Sequence, residues 1–202
     1  MTPVTMREIS LRTAQEQMLP KVEMERIVDG VLEGCPVYPV PVRVYIPDTS
    51  RPLPVLIYYH GGGFVIDTVS VYDPVCRRIA KATDQYRHLS GIPPGSGKIL
   101  TLQPMTMPWP WPKNALAFLT AKGIAYEKDV TLCGDSAGGC MAAFVSQRLQ
   151  HDKDFPLRHQ ILIYPLLDFT GSFPSCRENC CPATGFTAAK MEWYFNQFFP
   201  WP

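Results

Sequence analysis

Gly134-Asp135-Ser136-Ala137-Gly138-Gly139 sets a serine between glycines at the spacing G-x-S-x-G. A serine in that pattern belongs to a sharp strand-to-helix turn that lifts its hydroxyl above the end of a sheet. The flanking glycines let the chain turn without side-chain clashes. Five residues alone also match an ordinary glycine-rich loop, and the neighbours distinguish the two. Val130-Thr131-Leu132-Cys133 precedes the turn as a short apolar run rich in β-branched residues, the pattern of a buried strand. Ala137 to Leu149 follows, with Met141, Phe144, Val145 and Leu149 at helical spacing. Strand, turn and helix together make Ser136 a candidate nucleophile.

A second stretch points the same way. Val55-Leu56-Ile57-Tyr58-Tyr59 reads as a strand and runs into His60-Gly61-Gly62-Gly63-Phe64. Acyl transfer builds negative charge on a carbonyl oxygen, and fixed backbone N–H donors at that point lower the barrier. A run of glycines lets a backbone come close to a substrate. In chain order, His60 to Phe64, Gly134 to Gly139, and the expected strand Ile161-Leu162-Ile163-Tyr164-Pro165 running to Asp168 resemble the hormone-sensitive-lipase-like family of α/β-hydrolases. The likeness covers most of residues 37 to 200.

The resemblance implies an α/β-hydrolase fold, a doubly wound and mostly parallel sheet, and hydrolysis of small carboxylic esters through an acyl-enzyme without a cofactor. It implies Ser136 as nucleophile and the N–H groups of Gly62, Gly63 and Ala137 as the oxyanion hole. His60, Gly61 and Asp135 would shape the site; His60 is then not the base, and Asp135 is not the triad acid. Asp168 would be structural. Residues 1–33, read as one or two polar-faced helices, would form part of a cap over a core spanning 34–202.

Composition narrows less. The 202 residues carry a formal net charge of +1, which gives no electrostatic footprint for nucleic acid or an anionic membrane. No apolar run approaches the roughly 18 residues of a membrane span, and Met1 to Arg12 lacks the apolar core of a secretion signal. Of seven cysteines, Cys133 and Cys140 read as packed thiols. Cys176, Cys180 and Cys181 have no histidine nearby and match no structural zinc spacing. These features describe a reduced, cytoplasmic, metal-free protein; oligomeric state leaves no mark. Val42 to Ile46 reads as a further strand, and Val75 to Thr83 as a helix with Cys76, Ile79, Ala80 and Thr83 on one face. Leu116 to Lys122 ends another helix. Ala188 to Phe199 reads as an aromatic amphipathic helix whose aromatics are core.

Two departures stand out. Residues 86 to 112 hold six prolines and three glycines and show no apolar periodicity, so the expected central strand after Thr83 is missing. Pro93-Pro94-Gly95-Ser96-Gly97-Lys98 fails as a phosphate loop, because Ile92 and Ile99 stand where glycine and Ser or Thr are needed. Codons for Gln85 to Lys98 read one base later permit S-I-V-I and then E-Y-R-L-A-P-E. Codons for Lys98 to Lys113 read two bases later permit a helix that continues into Asn114-Ala115-Leu116. The expectation is a segment, about 85–112, translated out of frame. The second departure follows from chain order: the triad runs Ser, then Asp or Glu, then His. Only His151 and His159 follow Ser136, one at the end of a helix and one at the start of a strand. Neither triad acid nor base is found, and the sheet is expected to lack its C-terminal strands. The reading is a truncated ester hydrolase of little or no activity. The alternatives are a non-catalytic small-ligand binder on the same scaffold, or the product of a damaged reading frame.

Overall fold

Strand pattern and sheet position explain each other here. A computed structural model describes residues 2–16, 20–32, 40–83, 86–90 (backbone only), 111–179 and 187–198. The chain runs α1 (Pro3–Glu16), β1 (Arg26–Leu32), β2 (Val40–Ile46), β3 (Leu53–Tyr59), α2 (Val69–Thr83) and β4 (Tyr86–Ser90). It continues as α3 (Trp111–Ala121), β5 (Tyr126–Asp135), α4 (Ala137–Leu149), β6 (Leu157–Ile163), α5 (Pro174–Asn179) and α6 (Ala188–Phe198). The six strands form one sheet in the order β1-β2-β4-β3-β5-β6. β4, β3, β5 and β6 are parallel, whereas β1 and β2 join antiparallel.

β3 shows why the sheet sits in the middle. A strand buried on both faces reads as a near-continuous apolar run, because alternate side chains enter opposite cores. Leu53, Val55, Ile57 and Tyr59 pack into the core shared with α3 and α4, through Ala115, Leu119, Met141, Val145 and Leu149. Leu56 and Tyr58 pack on the other face against Cys76 and Ala80 of α2. Cys133 and Cys140 are buried thiols, as their apolar settings predict, and burial pushes Cys140 up to about 11. Thr83, expected on the buried face of α2, is exposed at the helix end; its hydroxyl donates to the carbonyl of Ile79.

Three expectations need correcting. Arg26–Leu32 is a strand and not a cap helix: Arg26 pairs with Ile46 and Leu32 with Val40 along the whole of β2. Its Asp29 and Gly30 break any apolar face, and pairing rather than side-chain pattern makes it a strand. The central strand is also present. Tyr86–Ser90 fills the place between β2 and β3, with Arg87 opposite both Tyr45 and Leu56. Tyr-Arg-His-Leu-Ser has no apolar alternation, but a gap there would leave two inner edges of backbone N–H and C=O groups unpaired. The third correction concerns the strand before Asp168, which ends at Ile163, so Pro165 to Asp168 is loop. Residues 91–110, where most of the frame-shift reading falls, lie outside the described residues, as do Cys35, Cys180 and Cys181.

Candidate active site

The turn at Ser136 is built by close approach. β5 ends at Asp135 and α4 begins at Ala137, so Ser136 alone makes the corner, with φ 51° and ψ −119°. A non-glycine residue held there is strained by about 1–3 kcal/mol and needs its surroundings to hold it. The Ser136 N–H donates to the carbonyl of Ile163 at 2.9 Å, and its own carbonyl accepts from Cys140 at 3.0 Å and Leu166 at 3.2 Å. Gly138 packs so tightly on the end of β3 that a Cβ would strike the carbonyl oxygen of Tyr59. Ser136 caps α4 without a side-chain cap bond, so its hydroxyl is not spent on the helix. The first-turn N–H groups of a helix have no acceptor within it and carry its positive end, a favourable place for developing negative charge.

Asp135 joins this corner to the glycine loop. Its carboxylate is buried and accepts from Tyr58 Oη at 2.8 Å, the Gly61 N–H at 2.9 Å and Tyr72 Oη at 2.7 Å. Burial, and then the nearby Asp135, push both tyrosines far above their ordinary pKa, so they stay protonated as donors. His60 is fully buried; its Nδ1 lies 2.8 Å from the Gly61 carbonyl, and its ring sits 5.2 Å from that of Tyr72. Burial lowers its pKa and favours the neutral ring. Beyond it, Gly62 (φ 101°) and Gly63 (φ 59°) turn through the left-handed region that glycine alone enters cheaply.

Gly63, Phe64 and Ser136 line one side of a cavity of about 310 Å³. Pro165, Leu166 and Phe169 from the loop after β6, and Met191, Tyr194 and Phe195 from α6, line the rest. The aromatics of α6 were expected to be core; Tyr194 is buried, yet it and Phe195 also form this cavity wall. Helical spacing marks a face that meets something and does not say what. Tyr58 and Tyr72 were likewise missed, because nothing local in the sequence marks a tyrosine as the partner of a carboxylate 77 or 63 positions away.

The histidines after the serine stay apart from it. His151 follows the far end of the 13-residue α4, about 20 Å along a helix of that length. His159 is opposite Thr131, five residues down the sheet from Ser136, roughly 17 Å along a strand. Both are exposed. The backbone of His88 is in β4, two strands from β5. Asp168 caps its own turn, accepting from the Thr170 hydroxyl and N–H, which lower its pKa. Among the described residues no cluster of three or more His, Cys, Asp or Glu side chains converges on a point, and no helix is long and apolar enough to cross a membrane.

A strained serine at the strand-helix corner, a glycine loop at the end of the neighbouring strand and a largely apolar cavity between them are the arrangement of an α/β-hydrolase. Comparison agrees. The family described as alpha/beta hydrolase fold matches residues 113–202. The chain is 31% identical over 187 residues to Esterase LipI of Mycobacterium tuberculosis, covering 85% of this chain and 55% of that protein. It is 32% identical over 182 residues to Carboxylesterase NlhH of the same organism, covering 84% and 51%. The solved esterase of Pyrobaculum calidifontis superposes with a TM-score of 0.86 at 28% identity, over all of this chain and 66% of that one. The chain belongs to the α/β-hydrolase family and is similar to esterases and carboxylesterases within it. It spans about half the length of the curated relatives it matches.

Proposed function

We propose that this chain acts on small carboxylic esters, with Ser136 as the nucleophile and the N–H groups of Gly62, Gly63 and Ala137 as donors to the oxyanion. Attack by the serine oxygen on the ester carbonyl would give a tetrahedral oxyanion. Loss of the alcohol would leave an acyl-serine, and water would release the acid. The observation that carries this reading is the strained Ser136 corner opening, together with Gly63, on the 310 Å³ cavity. Its lining of phenylalanine, leucine, methionine and proline suits a hydrocarbon or aromatic group of modest size. His60, Gly61 and Asp135 shape the loop and take no proton from the serine. Cys76, Cys133, Cys140 and Cys176 are thiols and not disulfides, which suits a reducing compartment, the cytoplasm.

A serine hydroxyl is a poor nucleophile at neutral pH without a base. No histidine among the described residues reaches Ser136, so the 202-residue chain is expected to turn over slowly or not at all. Purified chain should take up a fluorophosphonate probe slowly at Ser136, with p-nitrophenyl butyrate hydrolysis near background and labelling lost in Ser136→Ala. Absence of labelling at Ser136 refutes its role as nucleophile; robust Ser136-dependent turnover refutes the low activity. A cavity without a base also favours a second reading, a binder of small apolar ligands. Ligand affinity that survives Ser136→Ala, without turnover, would support it.

A further inference from the structure

We infer that Arg7 and Ser10, on helix α1, are positioning residues that aim the N–H of Gly63 into the cavity beside Ser136. The inference takes its catalytic meaning from the ester-hydrolase reading, but the geometry behind it is independent of that reading.

The loop between β3 and α2 stores strain. Besides its glycines, Phe64 (φ 62°) and Asp67 (φ 69°) sit in the left-handed region. Such residues persist only where neighbours over-determine them. Inside the molecule, Asp135 holds the start of the loop through the Gly61 N–H. Within the loop, the N–H groups of Val65 and Ile66 both donate to the Gly62 carbonyl, at 3.0 and 2.9 Å. On the outer side the holder is α1. Arg7 closes on the Val65 carbonyl with Nε at 2.8 Å and Nη2 at 2.7 Å, and Ser10 Oγ donates to Asp67 Oδ1.

These bonds form a chain of constraint that ends at the donor. Two charge-assisted N–H bonds converging on one carbonyl oxygen fix its position more firmly than a single neutral bond. Arg7 therefore fixes the Val65 carbonyl, and the turn containing Val65 holds the Gly62 carbonyl through two hydrogen bonds. The peptide between Gly62 and Gly63 is planar and trans, so its N–H points opposite to its carbonyl. Whatever pins the Gly62 oxygen thus aims the Gly63 N–H. Crowding gives the turn little slack, since a Cβ on Gly62 would strike the Ile66 carbonyl and come within 2.8 Å of Asp67 Oδ2.

Helix α1 has little else to do with the core. None of its residues is fully buried. Its inward side carries Arg7 and Ser10 among Met6, Ile9 and Ala14, which roof a separate cavity of about 520 Å³ over Tyr72 and Val71. Tyr164 and Tyr194 line both this cavity and the one at Ser136. Filling of the roofed cavity and the aim of the donor are therefore linked through one helix.

Hydrogen exchange on the 202-residue chain tests this, with Arg7→Met, Arg7→Lys, Ser10→Ala and a control, Arg12→Met, at an exposed position of the same helix. Arg7→Met should speed exchange in residues 61–66 by about tenfold, the scale of one lost charge-assisted pair of bonds. β3 and β5 should stay protected, Arg7→Lys and Ser10→Ala should fall between, and Arg12→Met should match the parent. Fluorophosphonate labelling of Ser136 should slow in the same order. Unchanged exchange in residues 61–66, or a rise shared equally with β3 and β5, overturns the inference. If Arg7→Met does not fold, Arg7→Lys and Ser10→Ala distinguish the same two outcomes. A parent chain that takes no label while its loop answers to Arg7 defeats the hydrolase reading and leaves the positioning role standing.

Discussion

Ser136 holds a backbone conformation that costs stability, and its replacement should reveal the cost. Glycine takes φ 51° without a Cβ clash, so Ser136→Gly should raise stability by about 1 kcal/mol in urea unfolding, after allowing for glycine's looser unfolded chain. The same variant should lose all probe labelling. A destabilised Ser136→Gly would mean that the corner is relaxed and not strained. His60 makes a second prediction at this scale. Burial lowers its pKa below the ordinary 6.5, so the unfolded chain binds a proton more readily than the folded one. Its contribution to stability is complete above pH 6.5 and is lost as pH falls toward the folded pKa. Urea midpoints of the parent should drop between pH 7.5 and 5, and His60→Gln should flatten that drop. An equal slope in both would remove His60 as its source.

Among the elements, α6 is where one face serves two ends. Phe195 contacts Phe169 at 6.2 Å between ring centres and helps to line the cavity at Ser136. Phe195→Ala should cost about 2 kcal/mol, less than truncating a fully buried phenylalanine, and should admit bulkier fluorophosphonates to Ser136. Cooperative unfolding and a series of probes of rising size measure the two effects. The same helix shows where the sequence is legible and where it stops being so. Met191, Tyr194 and Phe195 at i, i+3 and i+4 announce a buried face, but pocket wall and core share that spacing. The elbow could be read because its strand, glycines and helix are consecutive and each is demanded by local geometry. β1 and β4 could not, because nothing in Arg-Ile-Val-Asp-Gly-Val-Leu or Tyr-Arg-His-Leu-Ser specifies a strand; their partners do, and those partners are non-local. The clamp on Asp135 escaped notice for the same reason.

At the scale of the whole molecule, the described sheet ends in two edge strands, β1 and β6. Among the described residues β6 pairs with β5 and with nothing beyond, and Ile161 is 45% exposed there. An open edge next to exposed apolar surface invites further strands. The 202-residue chain should therefore self-associate with rising concentration in sedimentation or light scattering, and Ile161→Lys should suppress this without lowering the unfolding midpoint. Concentration-independent monomers in the parent would show the edge to be protected. The bond from the Gly61 N–H to Asp135 has a different consequence, one of timing. It spans 74 residues, and closing a loop of that length costs about 4 kcal/mol in chain entropy before any contact repays it. Gly138 cannot settle until the end of β3 lies beneath it. The reactive corner thus cannot form before β3 has paired with β5, and a serine-directed probe added during refolding would work as a clock for that long-range pairing.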